Sequence, residues 1–378
     1  MSNSKIDAIL KLSRFVRLYG LQRAIFKAAG RARISFPLVW RKSLDSDISL
    51  IGCGQFGFST LGFFLCKRFG RRLRWCYDPE KGKAISLKNI LGVKGCASSA
   101  EEGILDPATK YVYIASNHAS HTDYAIQALE AGKTVYVEKP VAVSFSQLNS
   151  LAFAVEKSNV KTYAGYNRPF SKFVRKLKSQ LSRPVGGLSL SCFVSGHVIE
   201  SEHWYRDPNE GTRICGNAGH WIDLFIHMLA WRGELPDSCS IRMLSADISE
   251  IDDNFVLSIA TDRSDIFSLM LTARSEPFEG INETINFQWN ETIAKINDFR
   301  RMTVWQNSCR KHFRSWPKDV GHQSASLQPF SGRERDWNEI LVSSLMMLHV
   351  AEMVRNGEHA LEISLRKELE MLRNGEYM

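Results

Sequence analysis

Cysteine is scarce and unpatterned in this sequence, with eight residues in 378, no Cys-x-x-Cys and no His and Cys at zinc spacing. Neither a disulfide framework nor a structural zinc site is suggested, no metal is expected, and a reducing cytoplasm is the expected compartment. Long apolar runs are missing too. Nothing approaches the roughly 18 to 20 residues of a membrane span, and Met1 to Ser13 carries Lys5, Asp7 and Lys11 where a signal peptide needs its apolar stretch. No internal repeat is visible. With 44% hydrophobic and 24% charged residues the composition excludes disorder, collagen and coiled coil, and the length predicts two domains with a core each. Only the charge is uneven. Residues 1–46 hold ten of the 49 Lys and Arg but two of the 40 Asp and Glu, which leaves 39 basic against 38 acidic residues for the rest. The basicity therefore belongs to an N-terminal extension. It is no sign of nucleic acid, for which there is no zinc-finger spacing, RNP sequence or basic-aromatic patch.

Three zones follow. In residues 1–46, Ile9, Leu12, Val16 and Tyr19 recur every three or four positions, which predicts an amphipathic helix before Gly30 and Pro37. Such a helix would rest on an anionic membrane surface or dock against its own body. Residues 47–168 alternate short apolar runs (Ile48 to Ile51, Leu73 to Tyr77, Tyr111 to Ala115, Thr134 to Val137) with segments long enough for crossover helices. That pattern predicts an α/β domain, a doubly wound parallel sheet. Residues 169–378 show longer alternating stretches, Leu188 to Val198, Ser240 to Ile248, Phe255 to Thr261 and Ile266 to Thr272, with helices over about 217–230 and 334–355. They predict an α+β domain whose largely antiparallel open sheet has one face exposed, and hence a homo-oligomer, dimer or tetramer.

The first run leads straight into Gly52-Cys-Gly54-Gln55-Phe56-Gly57 and a helix-compatible segment. In that context each glycine has a purpose: Gly52 for the tight turn, Gly54 for close approach of a pyrophosphate, Gly57 for helix-on-strand packing. Asp78 ends the second run, 21 residues after Gly57. A carboxylate there accepts from both ribose hydroxyls and repels a 2′-phosphate, so NAD is favoured. Lys67, Arg68, Arg71, Arg72 and Arg74 close by keep NADP possible. Ser116, Asn117 and His121 follow the third run and Glu138-Lys139-Pro140 the fourth, again at the carboxyl ends of parallel strands.

The GxGxxG, the small-polar run ending in His121, the segment Ala128 to Pro140 and Gly165-Tyr-Asn167-Arg168 together resemble the Gfo/Idh/MocA family of sugar and cyclitol oxidoreductases, over about Asp47 to Arg355. The resemblance implies a Rossmann domain and a substrate domain, with Lys139 touching both cofactor and substrate and Glu138 as a structural or cofactor-side partner. On the predicted second-domain helix, His220, Asp223 and His227 share one face at about 100° per residue and look like an acid/base cluster. The family carries an Asp followed four residues later by a His, matched by Asp223 and His227. A subgroup associated with surface polysaccharides carries His-aromatic-x-Asp after a Gly-Arg turn, matched by His220-Trp-Ile-Asp223 and Arg213. Both patterns are present, so His220 and His227 both remain candidates for the base. Asn167, Arg168, His203, Trp204 and Arg213 are the expected substrate contacts, the arginines for an anionic group. His322 resembles part of a C-terminal family element and has no assigned role. The expected activity is hydride transfer between a sugar, nucleotide-sugar or cyclitol hydroxyl carbon and NAD(P), in polysaccharide or sugar metabolism. The alternative is a catalytically silent dinucleotide-binding sensor of the same fold.

Overall fold

The computed structural model describes residues 3–33, 36–181, 184–247, 250–277 and 280–377, without the side chains of 3–9 and 11. The side chain of Ile9 and all of Ile248 lie outside the described residues. Two compact units result, one of residues 1–142, 146–166 and 322–335, the other of 143–145, 167–321 and 336–378. Among the described residues no helix is long and apolar enough to cross a membrane.

The first unit opens with a helical hairpin, α1 (Asn3–Tyr19) and α2 (Leu21–Ala32), turning at Gly20 with φ +85°. Docking against the body is what α2 does: Ala24, Ala29 and Gly30 are buried. A Cβ on Gly30 would lie 2.8 Å from the Phe58 ring, so only glycine lets the helices approach this closely. The extension is thus part of the first unit. There follow β1 (Ile48–Ile51), α3 (Phe63–Phe69), β2 (Leu73–Tyr77), α4 (Lys81–Leu91), β3 (Gly95–Cys96), α5 (Ala100–Leu105), β4 (Tyr111–Ile114), α6 (His121–Glu130), β5 (Thr134–Val137), α7 (Phe145–Lys157) and β6 (Thr162–Ala164). The strands pair in parallel in the order β3-β2-β1-β4-β5-β6. The order reverses between β1 and β4, the switch point where open α/β sheets bind ligands at their carboxyl ends. All of β1 is buried, and its one polar member, Ser49, is satisfied by the Gly103 carbonyl at 2.8 Å and Thr109 Oγ1 at 2.9 Å.

The second unit holds α8 (Lys172–Lys178), β7 (Ser189–Ser195), α9 (Gly219–Leu229), β8 (Cys239–Ser245), β9 (Phe255–Thr261), β10 (Ile266–Thr272), β11 (Asn282–Trp289), β12 (Thr292–Asn297), β13 (Arg301–Gln306) and β14 (Cys309–Arg314). Next comes α10 (His322–Ser326), within the segment that belongs to the first unit. There the Tyr113 hydroxyl donates to the Ser326 carbonyl (2.8 Å), Gln328 to the Ala164 carbonyl (3.0 Å), and Phe330 packs on Phe69 and Tyr111. Then α11 (Trp337–Asn356), β15 (Ala360–Ile363) and α12 (Leu365–Asn374) complete the second unit. Its nine strands run β14-β13-β12-β11-β7-β10-β9-β8-β15, antiparallel except for the β7–β10 pair. Phe225 of α9 stacks on Phe267 of β10 at 4.9 Å, which covers one face. The expected boundary after Arg168 moves to Tyr166, because Asn167 and Arg168 are both bound to second-unit partners.

Candidate functional site

Each unit carries its own candidate residues. In the first they gather at the carboxyl ends of β1, β2, β4 and β5. Gly52 has φ +95°, and a Cβ on it would lie 2.3 Å from the Ala115 oxygen and 2.5 Å from the Ser116 nitrogen. A Cβ on Gly57 would lie 2.3 Å from the Gly52 oxygen. A Cβ on Gly54 would meet nothing within 4 Å, so open space lies over the loop where a pyrophosphate would approach. The helix behind it is π-wound over Gly57–Gly62 before α3. Asp78 is held in place: Oδ2 accepts from the Cys53 N–H at 2.8 Å and Oδ1 from the Glu80 N–H at 3.0 Å. Lone pairs remain on both oxygens for a ribose.

Three of the expected cofactor contacts have other work. The Gln55 side chain turns away from the loop and donates to the Lys27 carbonyl (3.1 Å) and Ser59 Oγ (3.2 Å). The half-buried Phe56 ring lies edge-on to His322 at 5.8 Å. His121, 1% exposed, sets Nδ1 2.8 Å from the Pro140 carbonyl and Nε2 3.1 Å from the Ser116 carbonyl. It clasps the β4 loop to the Lys139–Pro140 peptide through both ring nitrogens, so the imidazole is a positioning residue. Ser116 and Asn117 are tied through Ser120, whose Oγ lies 2.8 Å from the Ser116 hydroxyl and 2.7 Å from Asn117 Oδ1, the amide oxygen accepting. Glu138 is buried, accepting from the Tyr136 hydroxyl (2.8 Å) and the Lys139 N–H (3.2 Å). Lys139 is half-buried at the end of β5.

In the second unit the two arginines are corrected. Arg168 makes a bidentate pair with Glu283 of β11 (2.8 and 3.0 Å), both below a tenth exposed, with its guanidinium carbon 4.1 Å above the Trp221 ring. Trp221 Nε1 donates to the same carboxylate at 2.8 Å. Breaking such a buried pair from one side costs about 3 to 5 kcal/mol, so Arg168 is structural and does not offer itself to a substrate anion. Arg213, 1% exposed, donates to Asp253 (2.9 Å) and the His197 carbonyl (2.8 Å). Asn167 donates to the Val320 carbonyl at 2.5 Å and fastens that loop. His203 caps the short turn Trp204–Arg206, accepting from the Tyr205 N–H at 3.2 Å. Burial and the nearby Arg206 hold its imidazole below the usual histidine range. Trp204 beside it is exposed.

The expected cluster on α9 divides. Asp223 is fully buried and accepts from Ser343 Oγ of α11 at 3.1 Å, while His227 Nδ1 lies 2.9 Å from Glu339 Oε2, one turn earlier on α11. Both therefore belong to a polar seam between the helices. His220, half-buried, sits two turns before His227 on the same helix, just after the π-wound turn Ile214–Ala218. Glu283, Glu339 and Ser343 are absent from the sequence expectations. Glu283 had a readable signal: it takes an inward position in the β11 alternation with Ile285, Phe287 and Trp289, where a carboxylate demands a cation.

Residues 47–166 match the sequence model of the Gfo/Idh/MocA family, described as an oxidoreductase family with an NAD-binding Rossmann fold. Over 189 residues the chain is 34% identical to oxidoreductase P35 of Formosa agariphila, covering 47% of this chain and 59% of that protein. Scyllo-inositol 2-dehydrogenase (NAD(+)) of Bacillus subtilis is 29% identical over 182 residues, 47% of this chain and 51% of its own length. The chain thus spans between half and two thirds of these curated relatives. Among solved structures, GenD2 from gentamicin A biosynthesis, in complex with NAD, superposes with a TM-score of 0.67 at 19% identity, covering 86% of this chain and 99% of that one. That likeness is one of fold.

One titration in this region is open to measurement. Burial pushes the Glu138 carboxyl up to about 7, against the Tyr136 and Lys139 hydrogen bonds and the Lys139 charge, which favour the anion. A carboxyl raised on folding contributes stability in full below its unfolded pKa near 4.5, and that contribution is lost as pH rises through 7. Between pH 5 and 8 the protein should lose stability relative to Glu138→Gln, on the order of 3 kcal/mol in all. Denaturant midpoints of the two proteins across that window measure it; a difference that does not change with pH contradicts the shift.

Proposed function

Because the chain belongs, through residues 47–166, to the Gfo/Idh/MocA oxidoreductase family, we propose that it is an NAD-dependent dehydrogenase or reductase acting on a hydroxyl carbon of a sugar, nucleotide sugar or cyclitol. The observation that carries this reading is the glycine loop at the switch point, open above Gly54 with Asp78 pinned beside it. Three of the basic residues that would mark NADP are committed elsewhere. Arg71 donates to the Val39 carbonyl, Arg72 pairs with Asp47 and Arg74 with Asp106, while Lys67 and Arg68 lie near the rings of Phe63 and Phe69. A 2′-phosphate would instead meet the Asp78 carboxylate. The nicotinamide, when bound, supplies the hydride acceptor or donor. Asp78 accepts from the ribose hydroxyls, and Lys139 steadies the negative charge that develops on the reacting oxygen. For the proton, His220 and His227 of α9 both stay candidates, His227 with the Glu339 carboxylate 2.9 Å from its Nδ1. The named activity of the Bacillus subtilis relative supports the cyclitol class, and a role in polysaccharide metabolism remains part of the proposal. A reducing, cytoplasmic location fits eight cysteines of which no two are joined.

The same reading includes a homo-oligomer. On the open sheet face Phe193 lies opposite Met270 and Ile293 opposite Trp305, all exposed beside Ile266, which is the composition of a face covered by a second copy. The hairpin adds a surface of another kind. Leu12, Leu21 and Ile25 stay exposed around an apolar groove of about 280 Å³ in the strongly basic extension, suited to an anionic membrane surface.

Reduction of NAD+ by a panel of sugars, nucleotide sugars and cyclitols tests the activity. Lys139→Ala, and either His220→Ala or His227→Ala, should lower kcat by about a hundredfold or more, the histidine variant with its NADH affinity unchanged. Nucleotide binding with no turnover on any substrate would leave the silent sensor instead. Light scattering after size exclusion should give a dimer or tetramer, and Phe193→Lys with Ile293→Lys should shift it toward monomer; a monomeric parent chain sinks the oligomer. Vesicles rich in anionic lipid should sediment the full-length protein at low salt more than a chain starting at Asp47, and equal, salt-insensitive sedimentation removes the membrane contact.

A further inference from the structure

The hairpin lies outside residues 47–166, yet it reaches the nucleotide loop. The backbone of Gly30 lies against Phe58 and Gln55, and Gln55 Nε2 is held by the Lys27 carbonyl, so the end of α2 is fixed over the start of the helix that follows the glycine loop. The chain leaves α2 through Arg33, a non-glycine residue in the left-handed region at φ 49°, ψ 41°. Few side chains take that conformation without a reason, since it costs about 1 to 2 kcal/mol. Here it accompanies a specific contact: Arg33 Nη1 donates to the Cys53 carbonyl at 3.0 Å, with the guanidinium carbon 5.8 Å from the centre of the Phe58 ring.

Cys53 stands between Gly52 and Gly54. Its N–H is given to Asp78 and its carbonyl to Arg33, so one peptide segment ties the ribose carboxylate to a permanent cation. Beyond the next residue the loop is open, since a Cβ on Gly54 would have no neighbour within 4 Å. A guanidinium has five N–H donors in a planar fork, and the contact to Cys53 uses one of them. The carbonyl contact orients the fork at the loop where an open α/β sheet receives a pyrophosphate, and paired oxygens carrying negative charge are the ligands that such a fork matches.

We propose that Arg33 is a cofactor-binding residue, contributed by the N-terminal extension, that contacts the diphosphate of the dinucleotide. The inference rests on the dinucleotide reading above and adds to it a residue that no glycine-loop motif contains. It also gives the hairpin a role in ligand affinity.

Binding to the full-length protein tests it with three ligands that share the adenosine: NADH by fluorescence, and ADP-ribose and adenosine by competition. Arg33→Gln keeps an amide donor for the Cys53 carbonyl and removes the charge; Arg33→Ala removes both. Each should weaken NADH and ADP-ribose by about tenfold or more, leave adenosine unchanged, and flatten the loss of NADH affinity with added salt. Unchanged NADH affinity in both variants overturns the inference. So does an equal loss for adenosine, which would make Arg33 a clamp on the loop alone. If the unaltered chain binds none of the three, the dinucleotide reading falls, and the inference falls with it.

Discussion

Where β1 ends, the Gly52 backbone runs so close to the end of β4 that a Cβ would overlap Ala115 and Ser116, and much of the first unit follows from that approach. Two parallel strands this near at their carboxyl ends leave the following peptides no route but a tight turn with positive φ. The turn aims the Cys53 N–H at β2, where Asp78 takes it, and brings Gly57 down onto the Gly52 oxygen. The helix then starts beneath an open surface. A larger residue at Gly52 would separate the strands and, with them, the carboxylate from the loop.

The second unit is organised by a different constraint, the burial of charge. Glu283 faces inward from β11, where an unpaired carboxylate would be prohibitive, and Arg168 and Trp221 both turn to it. Arg206 and Arg213 gather the buried Asp252 and the largely buried Asp253 in the same way. Each pair immobilises a segment that the sheet alone does not hold. Guanidinium groups that a sequence offers for substrate binding are here spent on shape.

Much of this was legible in the chain. The strands Ile48–Ile51, Leu73–Tyr77 and Thr134–Val137 stand where the apolar runs end at Gly or charged residues, and β9 and β10 match their alternation at both ends. The glycines of the loop could be read because only one residue type serves there. Side-chain direction could not. His121 and Gln55 lie on the predicted elements but bond to carbonyls remote in sequence, of Pro140 and Lys27, and no local pattern encodes those. On α9 the shared face of Asp223 and His227 was correct as geometry. What it faces is decided by Glu339 and Ser343, four apart on a helix buried nearly all round, where periodicity carries little information. The hairpins of β11 to β14 turn through Asn290, Asp298 with Phe299, and Asn307 with Ser308 at positive φ; Asn and Asp tolerate it and so could have been read as turns, whereas Phe299 could not.

The return of residues 322–335 to the first unit has a consequence for how the protein is made. Ser326, Gln328 and Phe330 complete contacts of Tyr113, Ala164 and Phe69, yet they are synthesised more than 150 residues after β6. During translation the parallel sheet therefore emerges and waits, with a buried tyrosine hydroxyl and a strand-end carbonyl still open, while the nine-stranded sheet is being extended. At roughly 5 to 20 residues per second that interval lasts about ten seconds or longer. The unit that begins the chain is among the last parts to close.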